Sequence, residues 1–289
     1  MQLKCLDASV LPNGLDRSAY KFQHKLMGHP ALTLENLGNV IPALPKGQVM
    51  YSARQLSNGD DFEATFKKRP QDRSIEETIE SIRSTDSYVM VRSPEAHASF
   101  APLYRDLIHD VETAMQEFGV GAKALSPTLF LFIASPNSVT PFHIDRYSTF
   151  LLQFRGSKHV TVFPPWDERV VTSPAREAYM AYANTRLEWS QERELLGVAH
   201  SFAPGDALHI PFAAGHHVRN GAEDVSISMS IIFNTPETRD WLAALRWNHW
   251  VRTKFGAAPA SVPGDKRRDG AKSLAWRSFS KVLAATNLG

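Results

Sequence analysis

Cysteine is almost absent from this chain, and long apolar runs are absent altogether. Cys5 is the single cysteine among 289 residues, so no disulfide can form within the chain. No run of apolar residues reaches the length that crosses a membrane, and the first residues, MQLKCLDASVLPNG, lack the apolar core of a secretory signal. Together these absences predict a cytoplasmic protein in a reducing compartment.

A strong charge of one sign is also missing. The net charge is +2, and the 43% hydrophobic and 21% charged residues are typical of a globular protein. Lys and Arg exceed Asp and Glu only after Glu237. A basic region can bind nucleic acid, but we interpret this one as the solvated face of helices, so nucleic acid is not an expected partner.

Short strand-like runs fill the middle of the chain and are separated by Gly, Pro and Asn. They are TLFLFIA, STFLLQF, HVTVF, DALHIP and DVSISMSIIF. Clustered short strands predict a sandwich or jelly-roll barrel rather than alternating βαβ units. We therefore expect a mainly β core over residues 87–234 with an insertion at 166–197, an N-terminal α/β elaboration over 1–86, and C-terminal helices over 235–289.

A histidine and an aspartate lie two residues apart in the stretch TPFHID. His143 and Asp145 project from the same side of a strand and can reach one ion. The later stretch PGDALHIPFAAGHHV offers three candidates for a third ligand, His209, His216 and His217. Two histidines and one carboxylate leave three positions of an octahedral ion open, as in non-haem Fe(II) oxygenases. The residues alone leave the choice among the three histidines open.

The stretches TPFHID, RGSKHVTVFPP and PGDALHIPFAAGHHV resemble the Jumonji-C (JmjC) or cupin-like group of Fe(II)- and 2-oxoglutarate-dependent oxygenases. The resemblance covers about Thr128 to Asn234 and is closest to the hydroxylase branch, which includes the asparaginyl hydroxylase acting on hypoxia-inducible factor. It implies a double-stranded β-helix, a cupin-like jelly roll, with Fe(II) and 2-oxoglutarate as cofactors. It also implies His216 as the third ligand, whereas His209 falls where the family often has tyrosine.

The resemblance further implies a set of residues that bind 2-oxoglutarate. Lys158 matches the family lysine that binds the distal carboxylate, although a lysine beside a hairpin can equally be a surface residue. Thr140 matches a family threonine, whereas Thr149 stands where the asparaginyl hydroxylase has asparagine. Ser230 and Tyr88 fall near family positions beside the co-substrate. The serines of VSISMSI can instead mark a solvent-facing sheet.

Two regions outside the strands are candidates for binding partners. In the insertion, Arg176, Tyr179 and Tyr182 are candidate substrate contacts, because loops over a barrel mouth commonly bind substrate; they can also be ordinary helix surface. The C-terminal helices carry four of the six tryptophans. These predict either packing against the barrel or, since such helices dimerise some JmjC hydroxylases, a homodimer interface.

The resemblance implies a dioxygenase that hydroxylates a protein or peptide side chain and releases succinate and CO2. A small-molecule hydroxylase or an N-demethylase would use the same metal chemistry. A metal-binding cupin sensor without oxygenase activity is the main alternative, and in it Lys158 would have no co-substrate to bind.

Overall fold

The computed structural model describes residues 2–11, 14–52, 54–66 and 75–286, which form two antiparallel sheets with helices around them. The strands of the described residues are β1 (Tyr20–Gln23), β2 (Val49–Ser52), β3 (Tyr88–Arg92), β4 (Leu125–Ala134), β5 (Val139–Ile144), β6 (Ser148–Arg155), β7 (Lys158–Val162), β8 (Val198–Phe202), β9 (Asp206–Ile210), β10 (Gly215–Asn220) and β11 (Ser226–Asn234). The seven-stranded sheet has the order β1-β9-β6-β11-β4-β3-β2, and the four-stranded sheet has the order β5-β10-β7-β8.

Helices surround these sheets on the N-terminal and C-terminal sides. They are α1 (Leu34–Ala43), α2 (Phe62–Thr65), α3 (Ile75–Glu80), α4 (Ala101–Glu117), α5 (Ser173–Met180), α6 (Pro236–Phe255) and α7 (Lys266–Thr286). Within the described ranges, no helix is both long enough and apolar enough to span a membrane. The expected fold class, a mainly β jelly roll with flanking helices, is confirmed. The exact division into 1–86, 87–234 and 235–289 stays a prediction.

The strand β11 separates the main core from the interior of the barrel. Its residues Ile227, Met229 and Ile231 are buried in the largest apolar cluster, together with residues of α1 and α4. Ser228 and Ser230 project to the opposite side and line a pocket between the two sheets. The strict alternation of VSISMSI therefore places Ser228 and Ser230 in the barrel interior, not on a solvent-facing sheet.

The insertion and the C-terminal helices pack together against the barrel. Helix α5 contacts α6, and Tyr179 and Met180 share a buried cluster with Trp241 and Leu245. For Trp241 the interpretation as core packing is therefore correct. The other tryptophans of α6 and α7 belong to an aromatic cluster of this helix pair. Trp250 contacts Trp247, Phe255 and Phe279, and Trp276 contacts Phe279.

Candidate functional site

The three predicted metal ligands meet at one end of the four-stranded sheet. His143 on β5 lies directly opposite His216 on β10, and Asp145 follows the end of β5. One ligand atom from each residue lies within 4.8 Å of the others. The Nε2 atom of His216 is 3.8 Å from Oδ2 of Asp145, and the two imidazole centroids are 4.1 Å apart. The strand pairing thus forms a two-histidine, one-carboxylate set.

Backbone carbonyl groups fix the orientation of both histidines. The Nδ1 atom of His143 is 2.7 Å from the carbonyl oxygen of Pro141, and Nδ1 of His216 is 3.0 Å from that of Ala214. A carbonyl oxygen only accepts, so each Nδ1 carries the proton and donates. Each Nε2 therefore keeps its lone pair, the arrangement that a metal-binding histidine needs.

Burial sets the charge state of the triad. It lowers the pKa of His143 well below its ordinary value, and the neighbouring His216 lowers it further. Burial also raises the pKa of Asp145, against the opposing effects of His216 and of the hydrogen bond from Thr149. A neutral imidazole is the ligand form, and a buried carboxylate is stabilised by a cation. Both features fit a divalent metal.

The two competing histidines are engaged elsewhere. His209 is fully buried, and its Nε2 accepts the backbone N–H of Asp16 at 3.0 Å, while burial lowers its pKa to about 3. His217 points to the other side of β10, where its Nε2 is 2.9 Å from a carboxylate oxygen of Glu194. Only His216 places its free nitrogen beside His143 and Asp145.

A pocket extends from the triad into the barrel and contains Lys158. The cavity itself has a volume of about 90 Å³, and the space between its lining residues is about 610 Å³ when the open solvent at its mouth is included. Lys158 is only 5% exposed, and its Nζ donates to Oγ of Ser228 at 2.7 Å. Lys158 forms no ion pair with any residue in the described ranges, and burial lowers its pKa to about 7. The interpretation of Lys158 as a surface residue is therefore wrong.

A turn and a strand register place Lys158 in the pocket. Gly156 has a φ of 64°, and an added Cβ would lie 2.6 Å from the carbonyl oxygen of Val225, so this tight turn requires glycine. Lys158 is then the first residue of β7 and pairs with Asn220 of β10. Because β10 also carries His216 and pairs with both β7 and β5, it fixes the position of Lys158 relative to the metal ligands.

The other predicted co-substrate residues also line this pocket, with one difference in role. Thr140, Thr149, Ser230 and Tyr88 all contribute to its wall. The hydroxyl groups of Thr140 and Tyr88 are 3.4 Å apart. Thr149, however, donates to Oδ2 of Asp145 at 2.9 Å. Its hydroxyl therefore orients a candidate metal ligand, a role that the sequence comparison did not suggest.

Several pocket residues were not identified from the sequence. Tyr147, two residues after Asp145, lines the pocket, and so do Met90, Phe130 and Phe132. Phe62 reaches the triad from α2, with its ring centroid 4.5 Å from that of His143. The alternation of Phe130 and Phe132 along β4 was the available indication, because residues of equal parity share a face. No local pattern marks Phe62.

The predicted substrate contacts in the insertion lie in different environments. Arg176 and Tyr179 are each 1% exposed and belong to the packing around α5, where Arg176 binds Glu168 and the carbonyl oxygen of Val171. Their burial removes them from the candidates for substrate contact. Tyr182 is 62% exposed, and its ring covers the guanidinium group of Arg146 at 3.6 Å, so it alone remains a candidate.

The sequence also matches a known protein family. The model of the cupin-like domain family matches residues 44–239, which include every residue of the triad and the pocket. The chain belongs to this family. The triad and Lys158 therefore lie within the part of the chain that matches the family, not in a segment outside it.

This cupin-like protein is also similar to solved structures of the Escherichia coli ribosomal oxygenase YcfD. The structure with cobalt and 2-oxoglutarate has 15% identity and a TM-score of 0.49, covering 90% of this chain and 61% of that chain. Another has 13% identity and a TM-score of 0.49, covering 96% and 67%. An oxalate decarboxylase from Lactobacillus farciminis has 15% identity and a TM-score of 0.26, covering 50% and 35%. These distant likenesses assign no residue role, and the chain spans 61% of the first YcfD structure.

Proposed function

We propose that this protein is an Fe(II)- and 2-oxoglutarate-dependent dioxygenase that hydroxylates a protein or peptide side chain. The observation that carries this proposal is the buried Lys158 without a counter-ion, in the same pocket as the triad. A buried cation is costly unless it is paired. A ligand with a keto acid at one end and a carboxylate at the other complements both the metal site and this lysine.

The donor set fits ferrous iron. Two neutral imidazole nitrogens and one carboxylate leave open positions on the metal. When bound, iron with 2-oxoglutarate and dioxygen supplies the oxidising chemistry that hydroxylates a C–H bond and yields succinate and CO2. The nitrogen and oxygen donors of His143, Asp145 and His216 would hold this metal.

The chain contributes orientation, charge and exclusion of water. The hydrogen bond from Thr149 keeps the Asp145 carboxylate in place, and the carbonyl oxygens of Pro141 and Ala214 keep the imidazoles in the metal-binding tautomer. In the proposal, the protonated amine of Lys158 binds the distal carboxylate. Ser230, Thr140 and Tyr88 supply nearby hydroxyl groups, all in a buried setting.

The alternative of a metal-binding cupin sensor leaves Lys158 unexplained. A sensor needs the triad but no buried amine aimed at a second anionic group. Small-molecule hydroxylation and N-demethylation would use the same triad and lysine. They differ from the proposed reaction only in the substrate.

Succinate formation tests the proposal. Purified protein with Fe(II), ascorbate, 2-oxoglutarate and air should release succinate slowly even without its substrate. His143→Ala should abolish that release, because one of three ligands is lost. Matched His217→Ala should retain most of it, because that ring binds Glu194 instead. Metal binding without any succinate from the unmodified protein would favour the sensor and refute the dioxygenase.

A homodimer and a cytoplasmic location belong to the same proposal. Apolar side chains remain exposed on the pair α6 and α7: Phe255, Leu274 and Val282 are each at least 60% exposed. A second copy of this helix pair would cover them. The one cysteine, Cys5, is buried and free, which fits a reducing compartment. Sedimentation at micromolar concentration should give a dimer, and a monomer would refute this part.

A further inference from the structure

A second cleft lies where the first turns of α6 and α7 meet the end of α4 and the segment after β7. Its volume is about 860 Å³, within the range of small-molecule sites. It shares no lining residue with the pocket of the triad. Pro236 and Lys266, the first residues of α6 and α7, both line it. The proposed reaction gives this cleft no role.

The lining of this cleft has more acidic than basic side chains. It contains four carboxylates and two cationic groups: Asp16, Glu237, Asp240, Asp269, Arg17 and Lys266. Asp16 accepts hydrogen bonds from two neighbouring residues, and Glu237 pairs with Arg17 at 2.9 Å. Asp240 and Asp269 have no oppositely charged group closer than 4.0 Å among the residues that the structure describes. These two carboxylates are therefore available to a cation that enters the cleft.

Asp269 has a buried oxygen without a hydrogen-bond donor. The residue is only 4% exposed, and its Oδ2 accepts the backbone N–H of Gly264 at 2.6 Å. Its Oδ1 is buried and has no donor in the described part of the chain, although buried polar atoms nearly always have a partner. Asp240 lies nearby, because its Oδ1 accepts from Ser273 at 2.9 Å, and Ser273 follows Asp269 by one helical turn. The two carboxylates thus flank the same part of the cleft.

One cation of the chain itself already binds at this cleft. The guanidinium carbon of Arg17 lies 5.5 Å from the centre of the Trp241 ring while the group pairs with Glu237, a combination of aromatic ring and carboxylate that suits organic cations. A metal ion fits the remaining carboxylates less well. Among the described residues, the triad is the only group of three potential ligands whose atoms lie within 4.8 Å of one another. Carboxylates on two different helices instead suit the separate N–H donors of one ammonium or guanidinium group.

We propose that this cleft binds an organic cation, with its ammonium or guanidinium group held between Asp240 and Asp269. The bound group donates to Oδ1 of Asp269 and to the Asp240 carboxylate, and the aliphatic part of the ligand contacts the wall at Pro165 and Trp166. A free polyamine and a basic side chain of a bound polypeptide both present this group. The site is independent of the dioxygenase function, because the cleft and the pocket of the triad have no residue in common.

Calorimetry of the full chain with three probes tests the proposal. The probes are spermidine, tetralysine with blocked ends, and the neutral triethylene glycol. At least one of the two cations should saturate one site per chain, with an affinity that falls as salt is added, and the glycol should not bind. Tighter binding of spermidine would identify a free polyamine as the ligand, and tighter binding of tetralysine would identify a polypeptide.

Three variants locate the site. Asp269→Asn should weaken binding about tenfold or more, because it loses a hydrogen bond to a charged group but keeps an oxygen for the N–H of Gly264. The matched control is Asp265→Asn, which changes another capping carboxylate of α7 that lies outside the cleft lining and should leave the affinity unchanged. Lys266→Ala should tighten binding, because it removes a competing positive charge from the cleft, and a misfolded variant could not bind more tightly.

Three results would overturn the inference. The first is the absence of saturable binding for both spermidine and tetralysine. The second is an Asp269→Asn variant that binds them like Asp265→Asn, since the attraction would then come from the general surface charge. The third is binding of triethylene glycol as tightly as the cations, which would show that the carboxylates do not select the ligand.

Discussion

Replacing Lys158 with methionine should make the ligand-free protein more stable while greatly weakening its affinity for 2-oxoglutarate. The pKa of this buried lysine falls from 10.5 to about 7, which corresponds to a penalty of about 5 kcal/mol for the charged form. Methionine fills similar space without a charge. Loss of the hydrogen bond to Ser228 lowers the free energy of unfolding of the variant by about 1 kcal/mol. The expected gain in the free energy of unfolding is therefore of the order of 4 kcal/mol below neutral pH.

The pH dependence of this gain has a defined sign. The folded-state pKa of Lys158 lies below the unfolded value, so between about 7 and 10.5 the unfolded chain binds more protons than the folded protein. The free energy of unfolding of the natural protein therefore rises with pH across this window. The penalty is complete below about pH 7 and fades towards 10.5, so the advantage of Lys158→Met should shrink as the pH rises.

Urea unfolding of the metal-free and ligand-free protein measures this effect. The natural protein, Lys158→Met and the control Lys123→Met are compared at about pH 6 and about pH 9. Lys123 is an exposed lysine paired with Glu112, so its replacement should change the free energy of unfolding by less than about 1 kcal/mol. With metal already present, added 2-oxoglutarate should further stabilise the natural protein and the control but have little effect on Lys158→Met. Equal or lower stability of Lys158→Met at both pH values would refute the reasoning.

Three further predictions concern the metal site and the fold. His216→Ala should abolish binding of Co(II) in calorimetry, whereas His217→Ala should keep the affinity within a few-fold; equal loss in both would contradict the assignment of His216. Thr149→Val should weaken Co(II) binding about tenfold or more, and Thr149→Ser should restore it, because only the hydroxyl orients Asp145. Asp110→Ala should lower the free energy of unfolding by about 3 kcal/mol, because this carboxylate accepts three N-terminal backbone N–H groups; urea unfolding with an unchanged midpoint would refute this.

The barrel strands and the triad were predictable because their patterns are local. Period-two alternation and turn residues predict β4, β6, β7, β9 and β11, and H-x-D places two ligands on one face. The choice of His216 over His209 and His217 came from the family resemblance. The physical reason is visible only in the fold, where the backbone N–H of Asp16 binds His209 and Glu194 binds His217.

Other features depend on contacts between distant parts of the chain. The strands β1, β2 and β8 were not predicted, because each has only four or five residues and lies towards the edge of a sheet. Phe62 reaches His143 across some eighty residues of sequence, and contacts between distant residues, Glu63 with Arg146 and Asp61 with Thr185, fix the position of its helix. Arg176 looked like a surface residue because charge normally indicates exposure, yet Glu168 and Val171 satisfy it in the interior.

An anaerobic titration with Fe(II) and then 2-oxoglutarate tests the central claim most directly. A visible charge-transfer band should appear when the keto acid chelates the iron. The band should be absent in His216→Ala, which lacks a ligand, and should need much more 2-oxoglutarate in Lys158→Met. Iron binding to the natural protein with no band at any concentration of 2-oxoglutarate would contradict the account and leave a metal-binding cupin.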